Sequence, residues 1–231
     1  MYTINCFDRT LMPTPADLWT RPRPGARGPR ATVTRARVVR AAVRVADRGG
    51  LAAVSMEAVA ARLGISAMAL YRHVPGKAAL VALMLDDGLG PPPQFAGRWR
   101  RRLVAWAQAL AEVFRAHPWS LEASAGLRAM GPNELAWLNA GMAALESTGL
   151  PLVDRHSACL AILSIVRTFA LFGTGGPAAE KAWEGAARVV LAQRPELVQV
   201  AALVERPEAR ATLAEALAWT LDGLAARVVR R

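Results

Sequence analysis

The sequence predicts an all-α protein in two parts, a small N-terminal helical domain joined to a larger C-terminal helical bundle. Three observations carry this reading. Apolar residues recur every three or four positions over most of the chain, with no sustained alternating run bounded by hairpin turns. Gly90-Pro-Pro-Pro93 is the sharpest break in that pattern, because consecutive prolines remove backbone donors and cannot continue a helix. The charge is also lopsided. Of the net +11, residues 21–48 carry +8, 49–77 carry +2, 78–231 carry +2 and 1–20 carry −1. The predicted divisions are a leader over 1–33, a first domain over 34–89 and a second over 94–231.

The leader offers no helical face. Arg21-Pro-Arg-Pro-Gly-Ala-Arg-Gly-Pro-Arg30 is a Pro/Gly/Arg segment, read as disordered, and either Met1 or Met12 can start translation. The first helix is expected over Thr34–Arg48, with Thr34 as N-cap, a Val38, Ala42, Val45 stripe, and Gly49-Gly50 as its stop. A short helix follows from the Ser55 cap, with Val59, Ala60 and Leu63 inward, and Gly64 breaks it. Ser66 caps a third helix through His73. Pro75-Gly76 ends that one, and a fourth runs from Lys77 to Leu89 with Leu80, Leu83 and Met84 inward. Beyond the break, amphipathic segments are expected at 94–116, 118–129, 132–147, 153–172, 178–193, 195–205 and 207–230, the makings of a bundle.

Several function classes are disfavoured. With two cysteines, Cys6 and Cys159, a disulfide framework or four-cysteine metal site is out of reach. The longest apolar run, Ala158–Phe172, is interrupted by Arg167 and is shorter than the roughly 20 residues of a spanning helix, so no membrane partner is expected. No secretory signal is visible, and a cytoplasmic location is expected. His73, His117 and His156 show neither ligand nor nucleophile–base spacing, and Gly173-Thr-Gly-Gly-Pro177 lacks the Lys-Ser/Thr of a phosphate loop. The chain is read as no enzyme, with no metal and no cofactor. A basic end on a near-neutral body instead points to a polyanion, nucleic acid first and an anionic membrane surface second.

The stretch Ser55–His73 is two short helices joined by a tight turn. Ala60 is small where the second helix must cross close to the first. Gly64, four residues later, can take a positive φ, and Leu63, Ile65 and Leu70 fill the wedge. Such a helix-turn-helix can lay Ser66–His73 in a major groove. Lys77, opening the next helix, would add charge to free backbone N–H groups that favour phosphate.

Residues 34–89 resemble the DNA-binding domain of the TetR/AcrR family of bacterial transcriptional regulators. The match lies in Val59-Ala-Ala-Arg-Leu-Gly-Ile-Ser66 and Ala-Leu-Tyr-Arg-His-Val-Pro-Gly-Lys-Ala-Ala-Leu over 69–80. The C-terminal half resembles the tetracycline-repressor-like subgroup through Trp99-x-x-x-Leu103, His117-Pro-Trp119, Gly131-Pro-Asn133 and Leu221-Asp-Gly-Leu224. The resemblance implies a homodimeric repressor that binds double-stranded DNA at a palindromic operator and responds to a small-molecule effector; an activator of the same fold is the alternative. A basic membrane-surface or scaffolding protein is the remaining one. By the family pattern, Tyr71 and Lys77 would contact phosphates, Ser66, Ala67, Met68, Ala69, Arg72 and His73 would face or border the groove, and Ser55 and Arg35 would clamp the backbone.

The chain departs from the pattern at Glu57, where the family often carries a basic or polar side chain. Ala67, Met68 and Ala69 are also poor hydrogen-bonding readers, so direct readout would rest on Arg72, Ser66 and apolar contact with thymine methyls. Arg21, Arg23, Arg27 and Arg30 could form an arm along DNA or a merely solvated tail.

For the effector, the resemblance places a ligand among C-terminal helices rich in tryptophan. Trp106, Phe114, Asn133, Trp137, Arg167, Phe169 and Trp183 are the candidate lining, although each aromatic taken singly reads first as core. Arg167 inside an apolar run needs a partner, an acid or an anionic ligand. The namesake's magnesium site uses a histidine near the end of the fourth helix, where this chain has Leu89-Gly-Pro91, so a mostly apolar ligand is expected. For dimerisation, Leu160, Leu163, Ser164 and Leu171, with Leu213, Leu217, Thr220 and Leu224, make two helical faces suited to a four-helix bundle.

Overall fold

Capping chemistry sets where the first helices begin. In the computed structural model, which describes residues 33–125 and 128–229 together with Trp19, the Thr34 hydroxyl accepts the Arg37 N–H at 3.3 Å and opens α1, Arg35–Gly49. Gly50, at φ 74°, ends it by returning its N–H to the Ala46 carbonyl at 2.8 Å. A 3₁₀ turn at Leu51–Ala53 leads to α2, Met56–Leu63, capped by Ser55, whose hydroxyl accepts from Ala58 N at 3.0 Å. The third helix, α3, is Ala67–Tyr71, capped by Ser66 through Ala69 N at 3.2 Å. It is two residues shorter than predicted, because Arg72 and His73 form a turn before Pro75. Then come α4, Lys77–Leu89, and α5, Trp99–Ala116. The remaining helices are α6, Trp119–Ala123; α7, Pro132–Ala144; α8, Leu152–Gly173; α9, Gly176–Gln193; α10, Val198–Glu205; and α11, Leu213–Val229. No strand occurs among the described residues.

The chain divides into two compact units, and the division is not a single cut at the proline run. Residues up to Pro93 are joined by Ala116–Asn139, while Gln94–Arg115 goes with Ala140–Arg231. In the first unit, α1 packs on α4 and α2, α2 packs on α3, and α6 packs on α4 and the 3₁₀ turn. Its core is Val38, Ala42, Val59, Ala60, Leu70, Val74, Leu80, Leu83 and Met84, with Trp119 and Ala123 added from α6. Val38, Ala42, Val59, Leu80, Leu83 and Met84 sit inward as their helical spacing predicts; Val45 and Leu63 are only half-buried. Fully burying each such valine, leucine or methionine contributes about 1.5–3 kcal/mol. The predicted leader lies outside the described residues except for Trp19 and Val33. Trp19 is not solvated tail: it packs, partly buried, against this core.

In the second unit, the buried face of α5 is Leu103, Trp106, Ala107, Leu110 and Phe114, a stripe at three- and four-residue intervals. The long helices α8 and α11 pack on each other, and α9 packs on α10. Buried positions are Cys159, Ile162 and Val166 on α8 and Leu217, Leu221 and Leu224 on α11. Leu217 and Leu224 therefore serve this chain's own core, which corrects their assignment to a dimer face. Leu160 and Leu171 do remain exposed.

Helix α8 also corrects the expectation drawn from its apolar run. It extends over 22 residues, and its most apolar 18-residue window has mean hydropathy 1.5, so by length and composition it is long enough to cross a bilayer. The helix is longer than the run because Leu152–Ser157 continue it at the N-terminal end.

Candidate nucleic-acid interface

The turn between α2 and α3 is built from backbone bonds that follow from two small residues. Gly64 sits at φ 68° and ψ 33°, the left-handed region, and Ala60 beneath it is 2% exposed. Gly64 N–H donates to the Ala61 carbonyl at 3.2 Å, and Ile65 N–H reaches back to the Ala60 carbonyl at 3.1 Å, so the carbonyls at the end of α2 are satisfied inside the turn. A Cβ at Gly64 would meet nothing within 4 Å. The requirement for glycine is thus conformational and not spatial.

Leu70 fixes the rotation of α3. It is fully buried, so residues two positions away, about 200° around a helix, point outward. Met68 is accordingly 75% exposed, and Ser66, Tyr71 and Arg72 lie on the solvent side. Ala67, Ala69 and His73 are half-buried at its borders. Lys77, exposed, stands at the first position of α4 after Gly76, which offers no side-chain cap, so the opening N–H groups of that helix stay available beside a positive charge. Ser55, half-buried, spends its hydroxyl oxygen on capping α2. The Arg35 Nε donates to the His73 carbonyl at 3.2 Å and clasps the start of α1 to the end of α3. Glu57 lies exposed in the first turn of α2.

Two carboxylates that the sequence reading passed over organise the rest of this unit. Asp47 of α1 accepts the Trp119 indole N–H at 2.7 Å and lies 2.7 Å from His117 Nδ1. Asp86 of α4, 6% exposed, accepts the backbone N–H of Asn133 at 2.7 Å and of Glu134 at 3.2 Å. Burial pushes its carboxyl above the usual 3.8; the backbone bonds from Glu134 and Asn133 pull it down, and the charges of Glu134 and Asp87 push it up. Its one available signal was a charge on the apolar side of Lys77–Leu89, one turn beyond Leu83.

The predicted effector residues are distributed over both units. Asn133 and Trp137 belong to the first, where the Asn133 amide donates to the Asp86 carbonyl at 2.9 Å and the Trp137 indole donates to Gly90 O at 3.0 Å. Trp106, Phe114, Arg167, Phe169 and Trp183 belong to the second. There Trp106 and Phe114 are buried, Phe169 is half-buried, and the Arg167 guanidinium sits 5.8 Å from the centroid of the Phe114 ring. Trp183, 52% exposed, lies under Arg210, which Glu180 and Glu184 hold at 2.9 and 2.7 Å. Leu89, Gly90 and Pro91 at the end of α4 offer no side chain that ligates a cation, and among the described residues no group of three His, Cys, Asp or Glu is placed so that it could hold a metal ion.

Residues 38–84 match the family described as bacterial regulatory proteins, tetR family, and residues 91–228 match the tetracyclin repressor-like C-terminal domain. The HTH-type transcriptional repressor DrrR1 of Streptomyces coeruleorubidus is 39% identical over 149 residues, which are 63% of this chain and 55% of that protein. The match thus spans little more than half of that relative. An HTH-type transcriptional regulator of Saccharopolyspora erythraea is 31% identical over 172 residues, 73% of this chain and 70% of its own length. Among solved structures, ActR of Streptomyces coelicolor in complex with actinorhodin has a TM-score of 0.72 at 24% identity, covering 86% of this chain and 99% of that one, a likeness of fold.

Proposed function

The chain belongs to the TetR family of bacterial transcriptional regulators, and from that premise we propose that it is a repressor released from a palindromic operator by a small, mostly apolar effector. The observation that carries the DNA half is the solvent side of α3. Leu70 anchors the helix from below while Met68, Tyr71 and Arg72 stand out, with Lys77 nearby in sequence at the opening of α4. Arg72 would supply the hydrogen-bonding readout and Met68 the contact with thymine methyl groups, with Tyr71 and Lys77 on phosphates. Ser55 and Arg35 act through position, as cap and clasp, more than through contact.

The family operates as dimers, and a palindrome is read by two copies of α3 about one helical turn apart. The exposed apolar residues of α8, Leu160 and Leu171, support it as the pairing helix. A relative named as a repressor supports repression over activation. A fold neighbour solved with actinorhodin supports an organic effector. We place its contacts in the C-terminal unit, on Phe114, Arg167 and Phe169 with Trp106 as the buried wall. This reading puts the protein in the cytoplasm, with the chromosome.

Selection of duplexes from a random library tests the DNA half. Enrichment of one palindrome over bulk competitor is expected, and a failure to enrich any sequence rejects the reading. A thermal-shift screen tests the second half, since an effector at a hundred times its dissociation constant stabilises by about 2.7 kcal/mol.

A further inference from the structure

Four arginines converge on one side of the N-terminal unit. Arg37, Arg40 and Arg44 follow one another on α1 at three- and four-residue intervals, which places them on one helix face. Arg62 and Leu63, at the end of α2, complete an open cleft of about 620 Å³ with them. All four arginines are exposed, and the Arg40 Nε donates to the Ala36 carbonyl at 3.2 Å, which lays its stem along the helix. The lining holds no carboxylate, and among the described residues no ion pair joins Arg40, Arg44 or Arg62 to an acid. Like charges one turn apart repel, and a concave surface of one sign focuses its field on whatever counter-charge enters.

None of the four belongs to the residues placed at the reading helix, so that role does not account for them. We propose that this cleft is a second nucleic-acid contact, one that takes the phosphate backbone of the duplex flanking the stretch read by α3. The inference rests on the DNA-binding reading above. Chemistry and position favour it. Guanidinium groups pair with phosphate oxygens through two parallel N–H bonds and are weakly hydrated, so they give up water at low cost. Arg62 precedes Ser66, the cap of α3, by four residues, at most ~14 Å of chain, or about four base steps along a duplex. A duplex already held by α3 therefore presents its neighbouring phosphates to the cleft at high effective concentration, which no free anion matches.

The test compares the full-length protein with R40A/R44A/R62A and with R40K/R44K/R62K on a duplex enriched from a random library. That duplex is used as a core of about 20 base pairs, two helical turns, and again with about ten more on each side. For the unsubstituted chain, the flanks are expected to raise affinity about tenfold and to steepen the slope of log K against log salt by about 0.9 per phosphate neutralised. The alanine variant loses the flank-dependent gain, and its slope on the long duplex falls by up to about 5, three arginines in each of two protomers, while the lysine variant keeps both because charge dominates the contact. Circular dichroism checks that each protein is folded. An unchanged flank gain in the alanine variant overturns the proposal, as does a loss on the core duplex as large as on the extended one. If the unsubstituted chain binds no enriched duplex at all, the DNA-binding reading fails first, a result distinct from either.

Discussion

Asp86 and Asn133, 47 residues apart in sequence, share three hydrogen bonds. The Asp86 Oδ1 accepts the Asn133 backbone N–H at 2.7 Å, and the Asn133 amide donates to Asp86 Oδ2 at 3.1 Å and to its carbonyl at 2.9 Å. One carboxylate near the end of α4 thus acts as an N-cap for α7 from outside the helix, satisfying N–H groups that no residue within α7 can reach. Trp137, one turn further on, donates to Gly90 just past the end of α4 and repeats the connection.

Replacing Asp86 with alanine leaves the opening N–H groups of α7 without their acceptor and is expected to cost about 1–3 kcal/mol in urea unfolding. Gly131 stands against the same carboxylate, and a Cβ there would collide with it. Gly131→Ala is therefore destabilising in the natural background and less so when Asp86 is alanine. Additive costs in the double variant would show that the two residues do not meet.

The Asp86 carboxyl also imposes a pH dependence. Burial raises its folded-state value above the ordinary 3.8, so the native state holds this proton more tightly than the unfolded chain does. Its contribution is fully present at pH values below the unfolded one and is lost as pH rises through the raised folded value. The stability of the natural chain relative to Asp86→Asn should therefore fall as pH is raised from about 4 to 7. A relative stability that climbs over this interval would mean that the hydrogen bonds outweigh burial.

Gly64→Ala tests the turn that aims α3. A methyl group meets nothing there, so the whole effect is the strain of φ 68°. A loss of about 1 kcal/mol in stability is expected. If α3 reads DNA as proposed, DNA affinity should fall further than an exposed alanine substitution such as Ala52→Ser would cause, because the turn sets the angle of α3.

Gly141 in the C-terminal unit is held by close packing. A Cβ there would lie 3.0 Å from both the Cys159 Sγ and the Trp106 Cε2. Gly141→Ala is expected to destabilise by about 1–3 kcal/mol, with Cys159→Ala relieving part of the loss in the double variant. Burial also pushes the Cys159 thiol up to about 11, so in a Cys6→Ser background it should react with a thiol reagent at pH 8 only as fast as the chain unfolds.

The local features of the N-terminal domain were legible from residue types alone. The caps at Thr34, Ser55 and Ser66 and the break at Gly64 each depend on bonds spanning three to five residues, and all four stand where they were predicted. The extents of α3, α6 and α7 were less so. Among the described residues of the predicted segment 118–129, α-helix covers Trp119–Ala123, and 132–147 ends its α-helix at Ala144, with a 3₁₀ turn at Glu146–Thr148. Apolar period continues past the point where a chain stops being helical.

What the sequence by itself determined is therefore the helical class, the position of the helix-turn-helix and the burial of Leu70 on α3, because each follows from residue types and backbone preferences over one or two turns. Tertiary structure alone decided which polar groups meet: Arg35 with the His73 carbonyl, 38 residues away, Asp47 with Trp119, 72 residues away, and Asp86 with Asn133. It also decided what the apolar faces are for. Leu217 and Leu224 have the spacing of an interface but fill their own chain's core, and Arg62 joins a cleft that α1 alone shows only as a row of charges. Periodicity states that a face must be covered or solvated. Only packing names the surface that covers it.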